Sequence, residues 1–191
     1  MHLSKKIFFD RFFSGQILLT DKLKLPDPTN VIKKLPAFSI LIIRNIESYK
    51  LAKIKQICLR KNILLSIANN HHMAQQIKSE GFHVKEQHIN NGITKLPNNK
   101  NLIRSISCHT RSSALKAQKL GYDFILYSPI FNTSTHTDYY KKDHAIGTIK
   151  FSLQTKNLII PIIALGGINK KNINRLKRLN IKGFAAIDYY L

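Results

Sequence analysis

Apolar residues along the chain fall into short runs at near-regular intervals, with polar, helix-patterned segments between them. The strand-like runs are QILLTD (16–21), FSILIIR (38–44), NILLSIA (62–68), GFHVK (81–85), IRSISC (103–108), YDFILYS (122–128), IIPIIAL (159–165) and GFAAID (183–188). Most are continuous rather than alternating, the pattern of strands covered on both faces. In residues 46–62, Leu51, Ile54 and Cys58 recur at three- and four-residue steps with Ile57 beside them, a helical stripe. Residues 71–81 and 110–121 each end on a glycine, a favoured helix stop, and Thr110 is placed to cap the second. Residues 169–180 follow a double glycine, with Asn169 as a cap. Residues 27–36 support only a short helix, and 86–102 none.

Eight strands with crossovers in 191 residues predict an α/β fold, a single-domain (β/α)8 TIM barrel, with a doubly wound open sheet as the alternative. The even strand count and tight spacing favour closure. Residues 1–15, MHLSKKIFFDRFFSG, are basic and amphipathic and read as an N-terminal helix lying across one end of a barrel that spans 16–188. Asp10 and Arg11 break its apolar run, so it fails as a secretory signal. No Pro/Ser-rich linker or internal repeat divides the chain, so 1–191 is expected to form one domain.

Composition changes this picture little. A 43% hydrophobic content is that of a globular chain, and no stretch offers the ~20 continuous apolar residues of a membrane helix. Cys58 and Cys108, far apart in sequence, suggest neither a disulfide framework nor a zinc site, and suit a cytoplasmic protein. The formal net charge of +21 is dispersed over every predicted helix. Without a basic block or an interleaved aromatic platform it indicates no specific nucleic-acid site. The oligomeric state is not encoded in any feature of the sequence.

In such a barrel, chemistry sits at the carboxyl ends of the strands. That rule selects Thr20, Arg44, Asn69, His83, Ser107, His109, the loop after Ser128, Gly166, Gly167 and Asp188. Gly166 and Gly167 permit positive φ and let an anion approach backbone N–H groups, and a helix opened by Asn169 would add its dipole. Ser107 and His109 project to one side, Cys108 to the other, which argues against a Cys108–His109 nucleophile pair. The polar loop 128–147 carries Asn132, Thr133, Ser134, Thr135 and His136. Such long loops are commonly functional lids or disordered segments. His71 and His72 lack the i, i+4 spacing of a metal pair.

The ordered set ISCHTRSSALKAQKLGYDFILYSPIFNTS, IPIIALGGIN and GFAAID, with AQQIKSEGFHVKE before it, resembles the thiamine-phosphate synthase and thiazole tautomerase family. The similarity runs from about 63 to 188 and stays in register at ILLTD and IIRN; LPDPTNVIKKLP…IIR resembles a divergent proteobacterial branch. The resemblance implies an enzyme of thiamine biosynthesis. It would join an aminopyrimidine diphosphate to a thiazole phosphate, with release of pyrophosphate and help from magnesium. Arg44 then corresponds to the diphosphate-binding arginine and Ser107 to the strand-five serine, with His109 beside it. Thr133 and Thr135 correspond to the Thr-x-Thr on the thiazole phosphate, and Gly167 to the phosphate-binding glycine. The partners implied are small-molecule thiamine precursors, with Asn69, His83 and Gly166 lining their site.

Several positions depart from the family pattern. The lysine two residues after the arginine is Ile46, the Asn-Asp-Arg of the pyrimidine and metal site reads Ala68-Asn69-Asn70, and the second metal aspartate falls near Gln87 and His88. The loop lysine is His136, and the tautomerase histidine aligns with Pro129. These changes predict a weakened magnesium site with no assignable protein ligands, and weak or altered activity. The last serine is Asp188, with a truncated last helix, since the chain stops at Leu191. A carboxylate there repels phosphate unless Lys170 or Lys182 screens it. A non-catalytic barrel that binds a thiamine precursor is the competing expectation.

Overall fold

Eight parallel strands close on themselves in chain order: β1 (Gln16–Leu19), β2 (Ile40–Ile43), β3 (Leu64–Ala68), β4 (Gly81–Val84), β5 (Ile103–Cys108), β6 (Phe124–Tyr127), β7 (Ile162–Leu165) and β8 (Gly183–Ala186). Closure is made by β8 against β1, with Leu18 level with Ala186. The computed structural model describes residues 5–44, 47–90, 101–133 and 145–191. Helices α1 (Lys5–Ile7), α2 (Thr29–Ile32), α3 (Ser48–Arg60), α4 (His71–Gln76), α5 (Gln87–Asn90), α6 (Arg111–Lys119) and α7 (Gly147–Thr155) are distributed along the described chain. The barrel is closed, so the open-sheet alternative is excluded. No helix among the described residues is long and apolar enough to cross a membrane.

Continuous apolar strands work here because both faces are covered. Leu18, Leu41, Ile43, Leu65, Ile67, Ile125 and Ala164 pack outward under the helices with Leu51, Ile54 and Cys58 of α3. Ile17, Leu19, Ile40, Ile42, Phe124, Leu126 and Ile163 fill the lumen. Phe8 and Phe9, buried to 6% and 7% exposure, join this inner cluster. They lie in a π-helical turn (Phe8–Phe12) that follows α1, so among the described residues 5–15 the N-terminal helix expected over 1–15 is short and irregular. Phe9 meets Phe124 with ring centroids 5.1 Å apart, which plugs the barrel on the Phe124 side.

Several helical expectations need correction. α4 ends at Gln76 rather than at Gly81, because Lys78 turns the chain at φ 50°. Gly81 instead begins β4, where a Cβ would lie 2.9 Å from the Ser66 side chain. Residues 169–180 form only a 3₁₀ turn, Ile173–Leu176. There Asn169 Oδ1 accepts from the N–H groups of Lys171 and Asn172, while Asn172 Nδ2 donates to the Gly167 carbonyl at 2.8 Å. Asparagine side chains have taken the bonds a helix would have made. Finally, α7 and the four-residue α5, the latter inside 86–102, occupy stretches for which no helix was predicted. Thr110 does cap α6, in a reciprocal box with Ser113.

Candidate active site

A cavity of about 590 Å³ opens at the carboxyl end of the barrel. Arg44, His109, Thr133, Gly166, Gly167 and Asp188 line it, joined by Lys24 and Ser128. His83 and Ser107, expected at the same cavity, lie in the lumen on β4 and β5 and do not line it. Asn69 does not line the cavity: it is exposed at φ 57°, and its Oδ1 accepts the Lys85 N–H at 3.0 Å. Thr135 and His136 lie outside the described residues.

Around the ends of β2, β1 and β8, charges alternate in sign. Arg44 is followed by Asp21, then Lys24, then Asp188. The Arg44 Nε donates to the Thr20 carbonyl at 2.7 Å, and Nη2 reaches Asp21 Oδ2 at 3.3 Å. Asp21 also accepts the N–H groups of Leu23 and Lys24 on Oδ1, both at 3.0 Å. One carboxylate therefore fixes both cations, Arg44 by an ion pair and Lys24 by the turn that carries it. Burial pushes the Asp21 carboxyl up, but the Lys24 and Leu23 N–H groups and the Arg44 and Lys24 charges outweigh it and hold it below its ordinary value. Lys24 Nζ in turn grips both oxygens of Asp188, at 2.9 and 3.1 Å. The repulsion expected at Asp188 is thus offset by Lys24, a residue the sequence offered only as one of many dispersed lysines. Lys182 pairs with Asp10 instead, at 3.1 Å.

Gly166 and Gly167 adopt φ 103° and 62°. What crowds their backbone is the protein's own chain. A Cβ on Gly166 would meet Pro129 Cα at 2.7 Å, and one on Gly167 would meet the Asn132 carbonyl oxygen at 2.1 Å. The Ile130 and Phe131 N–H groups bond the Leu165 and Gly166 carbonyls at 2.9 and 3.0 Å, which holds the loop bearing Thr133 against the turn. No acceptor among the described residues is found for the Gly166, Gly167 and Ile168 N–H groups, and all three residues line the cavity. With only a 3₁₀ turn behind them, the helix dipole expected there is missing.

His83 is buried between two hydroxyls: Nδ1 lies 2.9 Å from Ser105 Oγ and Nε2 3.0 Å from Ser107 Oγ. Burial, reinforced by the Arg44 charge, lowers its pKa to about 3, so the ring is neutral at physiological pH. His109 is half exposed. Its Nδ1 lies 3.0 Å from the Ser128 carbonyl oxygen, which only accepts, so Nδ1 carries a proton. Ser128 Oγ, 3.2 Å from the same nitrogen, therefore has no base there and is no activated nucleophile. Nε2 faces Glu86 Oε2 at 3.8 Å. Cys108 and Cys58 are buried, and burial pushes both thiols up to about 12.

The donors near the expected magnesium position do not fit that ion. Asn69 and Asn70 offer neutral oxygens that already accept backbone N–H groups, from Lys85 and Met73. Glu86 is engaged by His109, and among the described residues no three acidic, histidine or cysteine side chains converge. Magnesium favours carboxylates with phosphate.

Comparison with known proteins places the chain in a family. A thiamine-phosphate synthase of Clostridium tetani is 35% identical over 147 residues, 76% of this chain and 68% of that protein. One from Vibrio parahaemolyticus is 27% identical over 180 residues, covering 90% and 87% of the two chains. The solved thiamine phosphate pyrophosphorylase of Pyrococcus furiosus superposes with a TM-score of 0.69 at 20% identity, over 92% of this chain and 90% of that one. The family model described as thiamine monophosphate synthase matches residues 44–189, and the chain belongs to that family.

Proposed function

We propose that this protein joins an aminopyrimidine diphosphate to a thiazole phosphate, breaking the bond to the diphosphate and releasing pyrophosphate, with activity altered by its changed metal position. One observation carries the reading. Arg44, Lys24, Gly166 and Gly167 line a single cavity of about 590 Å³. That cavity holds the donors two phosphorylated ligands need.

Arg44 takes the departing diphosphate, and charge stabilisation is the main catalytic contribution. Ser107 assists it only in one tautomer of His83. If Nε2–H donates to Ser107 Oγ, the Ser107 hydroxyl proton is left for the diphosphate and Ser105 donates to Nδ1. The buried pair His83–Ser105 thus positions Ser107. Thr133 and the glycine turn hold the thiazole phosphate, and no step is assigned to magnesium.

A second reading, a barrel that binds a thiamine precursor without turning it over, is favoured by the occupied amide oxygens of Asn69 and Asn70. Pyrophosphate release from the two substrates, assayed with and without magnesium, separates the readings. Slow release that disappears in Arg44→Ala supports catalysis. Calorimetric binding of thiazole phosphate with no release in any condition supports the second reading. Turnover equal to that of a relative with both metal carboxylates would refute the altered activity.

A further inference from the structure

The pairing of Lys24 with Asp188 has a consequence for which ligands the cavity accepts. Strand register places the two residues beside the glycine turn. Leu165 is level with Ala185, so the Gly166–Gly167 turn and Ile187–Asp188 leave the adjacent ends of β7 and β8. Across the other seam, Leu18 is level with Ala186, which puts Asp188 beside Thr20 and the loop that carries Lys24. Lys24, Gly167, Ile187 and Asp188 all line one cavity.

A bare carboxylate at that point opposes a phosphate. Like charges in contact repel, more strongly at a partly dry site than in water. The Lys24 ammonium neutralises that carboxylate. It is held on Asp188 by two contacts, yet the partners keep 23% and 37% of their side-chain surface. An ion pair this exposed is weak and readily exchanged. The backbone of Lys24 is fixed independently by Asp21, so the ammonium can leave Asp188 without the loop moving.

We infer that Lys24 and Asp188 form an exchange pair that sets ligand selectivity at the β1–β8 end of the cavity: an anionic group on the ligand takes Lys24 over from its built-in counter-ion. Lys24 is then the side chain that makes a phosphate acceptable beside Asp188. Without it the same subsite favours an uncharged hydroxyl, which hydrogen-bonds to the carboxylate. Asp188 lowers phosphate affinity by competing for the ammonium. This inference rests on the cavity being the thiazole phosphate site.

The test is calorimetry of thiazole phosphate and the corresponding thiazole alcohol against wild type, Lys24→Met, Lys24→Arg, Asp188→Asn and the Lys24→Met/Asp188→Asn double variant. A charge-assisted contact of ordinary strength predicts phosphate binding weakened about 10- to 100-fold in Lys24→Met, with the alcohol unchanged. Lys24→Arg should keep most of the phosphate affinity, and Asp188→Asn should raise it. The double variant should bind phosphate better than Lys24→Met, because the unpaired carboxylate has gone. If Lys24→Met binds thiazole phosphate as wild type does, or loses both ligands equally, the inference is wrong while the site reading stands. If wild type binds neither ligand, both readings fall.

Discussion

Replacing Gly167 by alanine tests how tightly the turn after β7 is packed against the loop after β6. The residue sits at φ 62°, where a Cβ costs about 1–2 kcal/mol. The added methyl would also lie 2.1 Å from the Asn132 carbonyl oxygen and 2.8 Å from two backbone carbonyl carbons. These are main-chain atoms, so turn and loop must separate, an overpacking cost of about 1–3 kcal/mol. The sum, about 2–5 kcal/mol, corresponds to a fall of about 4–20 °C in Tm for a chain of this size. Gly147→Ala is the control. It too has positive φ, 71°, but a Cβ there meets nothing within 4 Å, so only the conformational cost applies. Thermal and urea unfolding should rank Gly167→Ala below Gly147→Ala by about 1–3 kcal/mol. Thiazole phosphate affinity should fall in the first and hold in the second, because only the first displaces Thr133. Equal melting temperatures together with wild-type binding by both variants would refute the close packing.

Three further outcomes are expected. The unfolded chain protonates His83 near pH 6.5 and the folded protein only near 3, so stability should rise with pH between these values; His83→Gln should flatten that slope in urea midpoints. Asp21 is depressed when folded, so its contribution is present above an unfolded carboxyl pKa of about 3.9 and lost as pH falls through its lower folded value. Asp21→Ala should remove that acid segment, cost about 1–2 kcal/mol in urea unfolding, and weaken diphosphate and phosphate binding together. Cys58 and Cys108, buried and protonated, should stay unmodified by a thiol-specific reagent at pH 8 until denaturant is added.

The barrel was legible because eight continuous apolar runs can be satisfied only by strands covered on both sides. The connections were less so. α7 escaped because Ile149 and Leu153, 80% and 66% exposed, do not mark its buried face, whereas Phe151 and Thr155 do. The 3₁₀ turn at Ile173–Leu176 was mistaken for a longer helix because its asparagines read as caps but bond backward to Gly167. At the site, Arg44, His109, Gly166, Gly167 and Asp188 were identified from their positions at strand ends, and they share the cavity. The partner of Asp188 could not be, since Lys24 lies 164 residues earlier and only barrel closure brings them together. A local signal did exist for the loop itself. Asp21 three residues before Lys24 is the spacing of a side chain that accepts from its own turn.

The alternating charges at the ends of β2, β1 and β8 separate how fast an anion arrives from how long it stays. A formal charge of +21 draws phosphorylated molecules toward the protein from every direction, an effect on association rate that salt suppresses. The rim itself is internally neutralised, Arg44 by Asp21 and Lys24 by Asp188, so it adds little long-range pull. Its influence begins once the ligand is seated and competes for those cations, which makes it a determinant of residence time. Added salt should therefore slow capture by the whole molecule, while substitutions at Lys24 and Asp188 change mainly the rate of escape.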